Sequence, residues 1–433
     1  MKMTVIGAGY VGISTALCFA HSGHKTVLLE CDAGRLANLQ AGRCPFYEPQ
    51  AQEWMTELLN SGMVSVTDSP AQAIPFGDII WIAVNTPAGS SHQLDLCALE
   101  KVMDDVVQYG SQGTVVVIKS TVTAGTCRRL LHQRQRELAD LKMLLVFNPE
   151  FLREGHAIKD FMNPSRVILG TENGRMPILV SDAYQSLGVL DTRIIPTTFE
   201  DAEVIKQASN SFLAVKLTYV NELSNYCRQV SADIHTVVYC MGLDERIAPG
   251  YMETGLGYGG ACLPKDTEAL AADASKKGTP LTVLEQAISA NDSQIKYAAD
   301  AVHRHMPPGS TLAVWGISFK PGSGDLRCSP AWRTLNILME YSTYQFQIYD
   351  PYFKDWQIEG SPLPSCIQVC SSADKAVENA DGLLVLTAHE TFLKANLQAV
   401  KLQMRNHFLF DFFDFVSSQS AKAAGLLRIT KTD

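Results

Sequence analysis

No stretch of this 433-residue chain reaches the roughly eighteen consecutive apolar residues that a membrane span needs, and no charged-then-apolar leader with a cleavage site is evident. Membrane insertion and secretion are therefore not expected. The eleven cysteines are odd in number and contain no Cys-x-x-Cys pair, which points to a reducing, cytoplasmic setting and away from a structural zinc site or any other metal. Net positive charge is missing as well. With a formal charge of −9, nucleic acid is not an expected partner, and an anionic substrate must be held by a local cluster of cations. Glycine and proline are absent from Phe199 to Val230, where apolar residues recur at helical spacing. At 1.5 Å per residue this predicts a helix of roughly 45 Å, longer than one small domain requires. Val204, Ile205, Ala208, Phe212, Leu213, Val215, Leu217, Val220 and Leu223 put apolar surface on more than one of its faces, so it is expected to connect two domains and carry a homodimer interface.

What is present begins with MKMTVIGAGYVGISTALCFAHSGHKTVLLECD. A short apolar strand, Met3 to Ile6, runs into GAGYVG, and an apolar segment with helical spacing follows. Gly7 allows the tight turn, Gly9 lets backbone approach a pyrophosphate at the helix N-terminus, and Gly12 permits close packing of helix on strand. A second strand, Thr26 to Leu29, ends at Glu30, whose carboxylate can take both hydroxyls of an adenosine ribose. No arginine replaces it, so NAD is expected rather than NADP.

The first 195 or so residues alternate strand and helix, with buried strands at Ile79 to Val84, Val115 to Ile118 and Leu144 to Phe147. Ligands bind at the carboxyl ends of such strands, so three loops draw notice: Asn85-Thr86-Pro87, Ser120-Thr121-Val122, and Asn148 through Gly155. A different loop, GLGYGGACLPKD at residues 255 to 266, brackets Cys262 between glycines and the Lys265–Asp266 pair. Glycines let amides approach an anion, and a neighbouring cation favours the nucleophilic thiolate, so this segment reads as a covalent active site. Past Pro307-Pro308-Gly309, the segments TLAVWGISFKP, LNILMEY and FQIYDP give strand, helix and strand of a second α/β half without a glycine fingerprint of its own. The expected fold class is α/β: two Rossmann-like, doubly wound parallel-sheet domains (1–198 and 307–433) joined by the long helix, with 199–306 as a central helical dimerisation domain.

GAGYVG, AVNTP, KSTVTAGT, NPEFLREGHAIKDFMNPSRVILG, AEVIKQASNSFLAVKLTYVNE, GLGYGGACLPKD and SFKPGSGDLRCSP, in that order over nearly the whole chain, resemble the UDP-glucose/GDP-mannose dehydrogenase family. The resemblance implies oxidation of the C6 alcohol of a nucleotide-sugar to a carboxylate with two NAD per turnover. It implies Cys262 as nucleophile, Lys206 and Asn210 as oxyanion partners, Asp266 with Thr121 as a water-mediated proton relay, and Glu150 as the base for thioester hydrolysis. NAD would lie on Gly7, Gly9, Tyr10, Val11, Gly12, Glu30, Arg35, Thr86, Ser120, Thr121, Glu154, Lys265 and Arg327. Besides Glu150, Lys206 and Asn210, substrate would meet Phe151, Leu152, Arg153, Glu154, Tyr251, Gly257, Tyr258, Gly259 and Lys320. Arg246 would reach a neighbouring subunit's site.

Two positions depart from the family pattern: Thr123 stands where proline is usual, and Phe413, in FDFFDF, stands where the family has an arginine. The CLPKD block differs from that of the N-acetylhexosamine dehydrogenases. UDP-glucose is the favoured substrate, with GDP-mannose, or a non-catalytic sensor of NAD and nucleotide-sugar, as the alternatives.

Overall fold

The computed structural model describes residues 1–89, 91–353, 357–358 and 361–430. It divides into two compact units, Met1–Ser209 and Asn210–Asp433. The first holds strands β1 (Lys2–Ile6), β2 (Lys25–Leu29), β3 (Val64–Thr67), β4 (Ile79–Ile82), β5 (Val115–Ile118), β6 (Leu144–Phe147), β7 (Val167–Thr171) and β8 (Ile194–Thr198). Their spatial order is β3-β2-β1-β4-β5-β6-β7-β8. The first six are parallel, and the order reverses between β1 and β4, the point at which doubly wound sheets open a crevice for a ligand. Successive residues of β4 serve opposite faces: Ile79 and Trp81 join one core, Ile80 and Ile82 the other. The continuous apolar run in the sequence is the mark of a strand buried on both sides.

One expectation needs correcting. The sheet is not wholly parallel, because β7 pairs antiparallel with β6 and β8 runs parallel to β7. An apolar run reports burial but not strand direction.

The second unit repeats the winding. Strands β9 (Thr311–Trp315), β10 (Gln345–Tyr349), β13 (Ile367–Val369), β14 (Gly382–Val385), β15 (Phe408–Asp411) and β16 (Leu427–Ile429) form a parallel sheet ordered β13-β10-β9-β14-β15-β16. A two-residue antiparallel pair, β11 (Gln357–Ile358) with β12 (Ser361–Pro362), lies between β10 and β13 in the chain.

The long helix spans Phe199–Gln229. The division into compact units falls inside it rather than at its ends, since the helices that follow it pack with the second sheet's helices as one body. Its polarity is inverted relative to an ordinary surface helix. Glu203, Lys206, Gln207, Asn210, Asn221 and Ser224 are buried, whereas Phe212, Tyr219 and Tyr226 are 69%, 56% and 63% exposed. Val220, expected among the interface residues, is instead buried. Among the described residues no helix is long and apolar enough to cross a membrane.

Candidate active site

The end of β1 shows why each fingerprint glycine is glycine. Gly7 has φ +95° and a Cβ there would meet the Ala83 carbonyl oxygen at 2.8 Å; a Cβ on Gly12 would overlap the Gly7 carbonyl oxygen at 1.8 Å. Both are fixed by packing of the protein on itself. Gly9 caps the helix Tyr10–His21, and a Cβ there would meet only Asn85 Oδ1, at 4.0 Å. Nothing in the protein demands that glycine, so its open face fits the pyrophosphate of a dinucleotide. Glu30 follows β2 and is buried; its Oε2 accepts from the Ala8 amide at 3.0 Å and from Arg35 Nη1 at 3.0 Å, and its Oε1 from the Asp32 amide at 2.8 Å. The carboxylate is thereby fixed beside the glycine turn, where a ribose diol would lie. Tyr10, next to Val11 in the same turn, donates to Glu48 and, at 2.9 Å, to the Arg153 carbonyl.

The ends of β4, β5 and β6 bring the next group together. Thr86 Oγ1 donates to the Thr121 carbonyl at 2.8 Å and Ser120 Oγ to the Val84 carbonyl at 2.7 Å, which ties the first two expected loops to each other. Glu150, two residues beyond Asn148 at the end of β6, receives Lys206 Nζ at 2.8 Å on Oε1 and the Leu152 amide at 2.6 Å on Oε2. Both side chains of this ion pair are at most 9% exposed. Burial pushes the Glu150 carboxyl up, but the Lys206 ammonium, the two hydrogen bonds and the charge of Lys119 outweigh it and hold Glu150 below the ordinary glutamate range. Phe151 lies under this pair, with Lys206 Nζ 5.5 Å and Arg166 Cζ 3.7 Å from its ring centroid. Arg153 is bound to Asp160, Nη2 to Oδ1 at 2.7 Å; Leu152 and Glu154 are half-buried beside it.

In the second unit, the exposed Cys262 caps the helix Leu263–Lys276, at the end where amide N–H groups converge. Asp266, in the first turn, is wholly buried, and its two oxygens accept from Asn210 Nδ2 at 2.6 Å and Lys265 Nζ at 2.5 Å. The glycine loop before Cys262 is closely packed within the protein. A Cβ on Gly257 would lie 2.5 Å from Asn291 Oδ1, on Gly259 2.4 Å from the Cys328 carbonyl, and on Gly260 2.7 Å from the Phe319 ring. These glycines are required by close packing within the protein, and Tyr258 is buried with its amide donating to Asn291 Oδ1 at 2.8 Å. Phe413 packs its ring where a Cβ of Gly255 would be, 2.8 Å away, while the neighbouring Asp411 draws its cation from Arg428 Nε at 3.0 Å.

Arg327 pairs with Asp325 at 2.6 Å, and the half-buried Lys320 stands 5.4 Å from the centroid of Phe319. The Arg246 side chain is 88% exposed and pairs with Asp244 at 2.5 Å. Tyr251 takes a left-handed φ of +59°.

Four residues that sequence reasoning passed over support these groups. Lys216 Nζ donates to the carbonyls of Ile247, Ala248 and Gly250 at 2.7 to 2.9 Å, which pins the loop that leads from Arg246 to Tyr251. Glu203 accepts from the amides of Gly125 and Cys127 at 2.6 and 2.7 Å, anchoring the Ser120–Thr121 loop to the helix that carries Lys206. Glu48 accepts from Tyr10 and, at 2.8 Å, from the Gly155 amide. Lys119 is buried directly after β5. A lysine following a strand of four fully buried apolar residues was a legible signal; for the other three no spacing marks them.

Comparison with known proteins agrees along the chain's length. Residues 1–188 match the NAD binding domain of the UDP-glucose/GDP-mannose dehydrogenase family, 200–293 its central domain and 313–418 its UDP binding domain. The UDP-glucose 6-dehydrogenase of Rhizobium meliloti is 33% identical over 418 residues, 95% of this chain and 94% of that protein. A UDP-glucose dehydrogenase structure from Pyrobaculum islandicum superposes with a TM-score of 0.87 at 28% identity, over 97% of this chain and 95% of that one. A UDP-D-ManNAc dehydrogenase structure from Pyrococcus horikoshii also reaches 0.87 at 24% identity, over 100% and 99%, a likeness of fold. The chain therefore belongs to the UDP-glucose/GDP-mannose dehydrogenase family and is an NAD-dependent nucleotide-sugar dehydrogenase.

Proposed function

We propose that this enzyme oxidises the C6 alcohol of UDP-glucose to the carboxylate of UDP-glucuronate through a covalent Cys262 intermediate. The observation that carries the reading is Cys262 itself, an exposed thiol at a helix N-terminus one turn before a buried aspartate that holds both Asn210 and Lys265. NAD, when bound, accepts a hydride in each of the two oxidations. In the first, the alcohol gives up a proton through Asp266, Thr121 and a water, and an aldehyde results. An aldehyde carbon is a poor hydride donor until addition of a nucleophile makes it tetrahedral. The Cys262 thiolate adds to it, a C–S bond forms, and the resulting alkoxide is stabilised by Lys206 and Asn210. Loss of the second hydride leaves a thioester. Water, giving its proton to Glu150, adds to that carbon; the C–S bond breaks, releasing the carboxylate and returning the thiolate. Glu150 suits this role because its surroundings keep it ionised and able to accept a proton.

The CLPKD block argues against an N-acetylhexosamine, and UDP-glucose is favoured by the NPEFLREG-to-PSRVILG and GLGYGGAC stretches and by relatives such as the Rhizobium meliloti UDP-glucose 6-dehydrogenase. The exposed ring row on the long helix supports a homodimer, with Arg246 reaching the partner's substrate.

Absorbance at 340 nm with NAD and either UDP-glucose or GDP-mannose tests the assignment. Cys262→Ser is expected to bind NAD and UDP-glucose but to form no acid, since a hydroxyl is a far poorer nucleophile than a thiolate. Full turnover by that variant, or NADH formation with GDP-mannose alone, would sink the reading.

A further inference from the structure

Lys119 is a cation with no carboxylate in ion-pair range among the described residues. Parallel pairing of Ile118 with Phe147 brings the ends of β5 and β6 level, so Lys119 emerges beside Asn148, and the Asn148 amide donates to the Ile118 carbonyl at 2.8 Å. Lys119 Nζ donates to Asn148 Oδ1 at 2.8 Å and to the Tyr184 hydroxyl at 3.2 Å. Tyr184 in turn donates to the same Asn148 oxygen at 2.6 Å, and Asn148 Nδ2 donates to the Ile168 carbonyl at 2.9 Å. The rings of Trp81, Phe161 and Tyr184 surround the ammonium at 5.5 to 6.0 Å. Lys119, Asn148, Glu150, Phe151, Arg166 and Tyr184 all line one cavity of about 340 Å³.

A methionine could fill the space among the three rings without the desolvation of a charge, but it could not donate to Asn148 and Tyr184. Through Asn148 the lysine holds a turn. Asn148 is followed by Pro149 and Glu150, and the charges that act on Lys119 are those of Glu150 and Lys206, with Asp160, Arg153 and Arg166 on the cavity wall and the Tyr184 hydroxyl in contact.

We propose that Lys119 is a positioning residue of the active site: it fixes the turn that presents Glu150, and its charge biases Glu150 towards the ionised form. This rests on the reading of Glu150 as the hydrolytic base. Burial brings the Lys119 ammonium down to about 7, Glu150 opposing and Lys206 reinforcing that shift. Its charge is therefore present throughout the acidic range in which Glu150 takes up its proton.

The test uses the full chain with NAD and UDP-glucose, and reads two quantities in Lys119→Met. One is the titration of the Glu150 carboxyl, followed by infrared difference against Glu150→Gln; the other is the pH profile of acyl-enzyme hydrolysis. Glu150 is expected to protonate at higher pH in Lys119→Met, and the acid limb of hydrolysis to move up with it, the rate there falling about tenfold per unit of displacement. The initial NADH burst should keep its amplitude. Tyr184→Phe removes a hydrogen bond but keeps the cation, so it should leave the limb in place. If Lys119→Met does not fold, Lys119→Gln, uncharged but still a donor to Asn148, carries the same measurements. An unchanged infrared titration in the uncharged variant overturns the proposal. Normal hydrolysis by Glu150→Gln would instead remove the base assignment, and the infrared result would still decide the role of Lys119.

Discussion

Glu150 is poised between two pulls: burial, which favours the neutral acid, and Lys206, which at 2.8 Å favours the anion and prevails. Its folded carboxyl is therefore depressed, so it contributes stability that is fully present above the ordinary glutamate range and is lost as pH falls through the lower folded value. Hydrolysis should fall away over the same acidic window, because the base is being protonated. Glu150→Gln should retain both hydride transfers and stall at the thioester. Stopped flow at 340 nm is expected to show a burst of about two NADH per site, followed by turnover slowed about 10²- to 10⁴-fold. Mass spectrometry should then find a covalent adduct. Steady turnover at the parent rate with no adduct would rule this role out.

The N-terminus of the helix Thr126–Gln133 has no capping side chain of its own, and Gly125, at its cap, takes φ +93°. Glu203 supplies the cap from the long helix, with one carboxylate oxygen for each of two amides. A glutamine offers only one acceptor oxygen, so Glu203→Gln would turn an NH₂ against one of those N–H donors. Thermal or urea unfolding should register a loss of about 1–3 kcal/mol. Because the cap also steadies the Ser120–Thr121 turn, the KM for NAD should rise by more than that for UDP-glucose. Parent-like stability together with parent-like KM for NAD would show that the cap is dispensable.

Phe212, Tyr219 and Tyr226 recur every seven residues, two helical turns, and stay exposed. A row of large rings in water is unfavourable unless another surface covers it, and a second copy of the same helix presents a matching row. Tyr219→Glu should convert the proposed dimer to a monomer by light scattering. Arg246→Ala should raise the KM for UDP-glucose about tenfold or more with little change in NAD affinity. Mixing that variant with Cys262→Ala should restore some activity, since one site of the mixed dimer would have both an intact cysteine and an intact arginine. A fully active monomer, or no recovery despite proven subunit exchange, would count against the shared site.

The roles of Glu150, Lys206, Asn210, Cys262 and Asp266 rest on the family resemblance, whereas local patterns were sufficient to read the strands at Val115–Ile118 and Leu144–Phe147, the glycine turn ahead of Glu30, and the long helix. Each of these elements is marked by spacing within a few residues, which is all that periodicity and turn chemistry can register. The partners of those residues were not legible. That Lys206 meets Glu150, that Asn210 and Lys265 share Asp266, and that Glu203, Glu48 and Lys119 brace the loops are contacts between residues mostly far apart in the chain, created by strand order and helix placement. The reversal of β7 against β6 belongs to the same class, as does the requirement for Gly257 and Gly259, which comes from Asn291 and Cys328. Side-chain identity is a local property of the chain, whereas the field and the space around a side chain are made by whatever the fold carries to it.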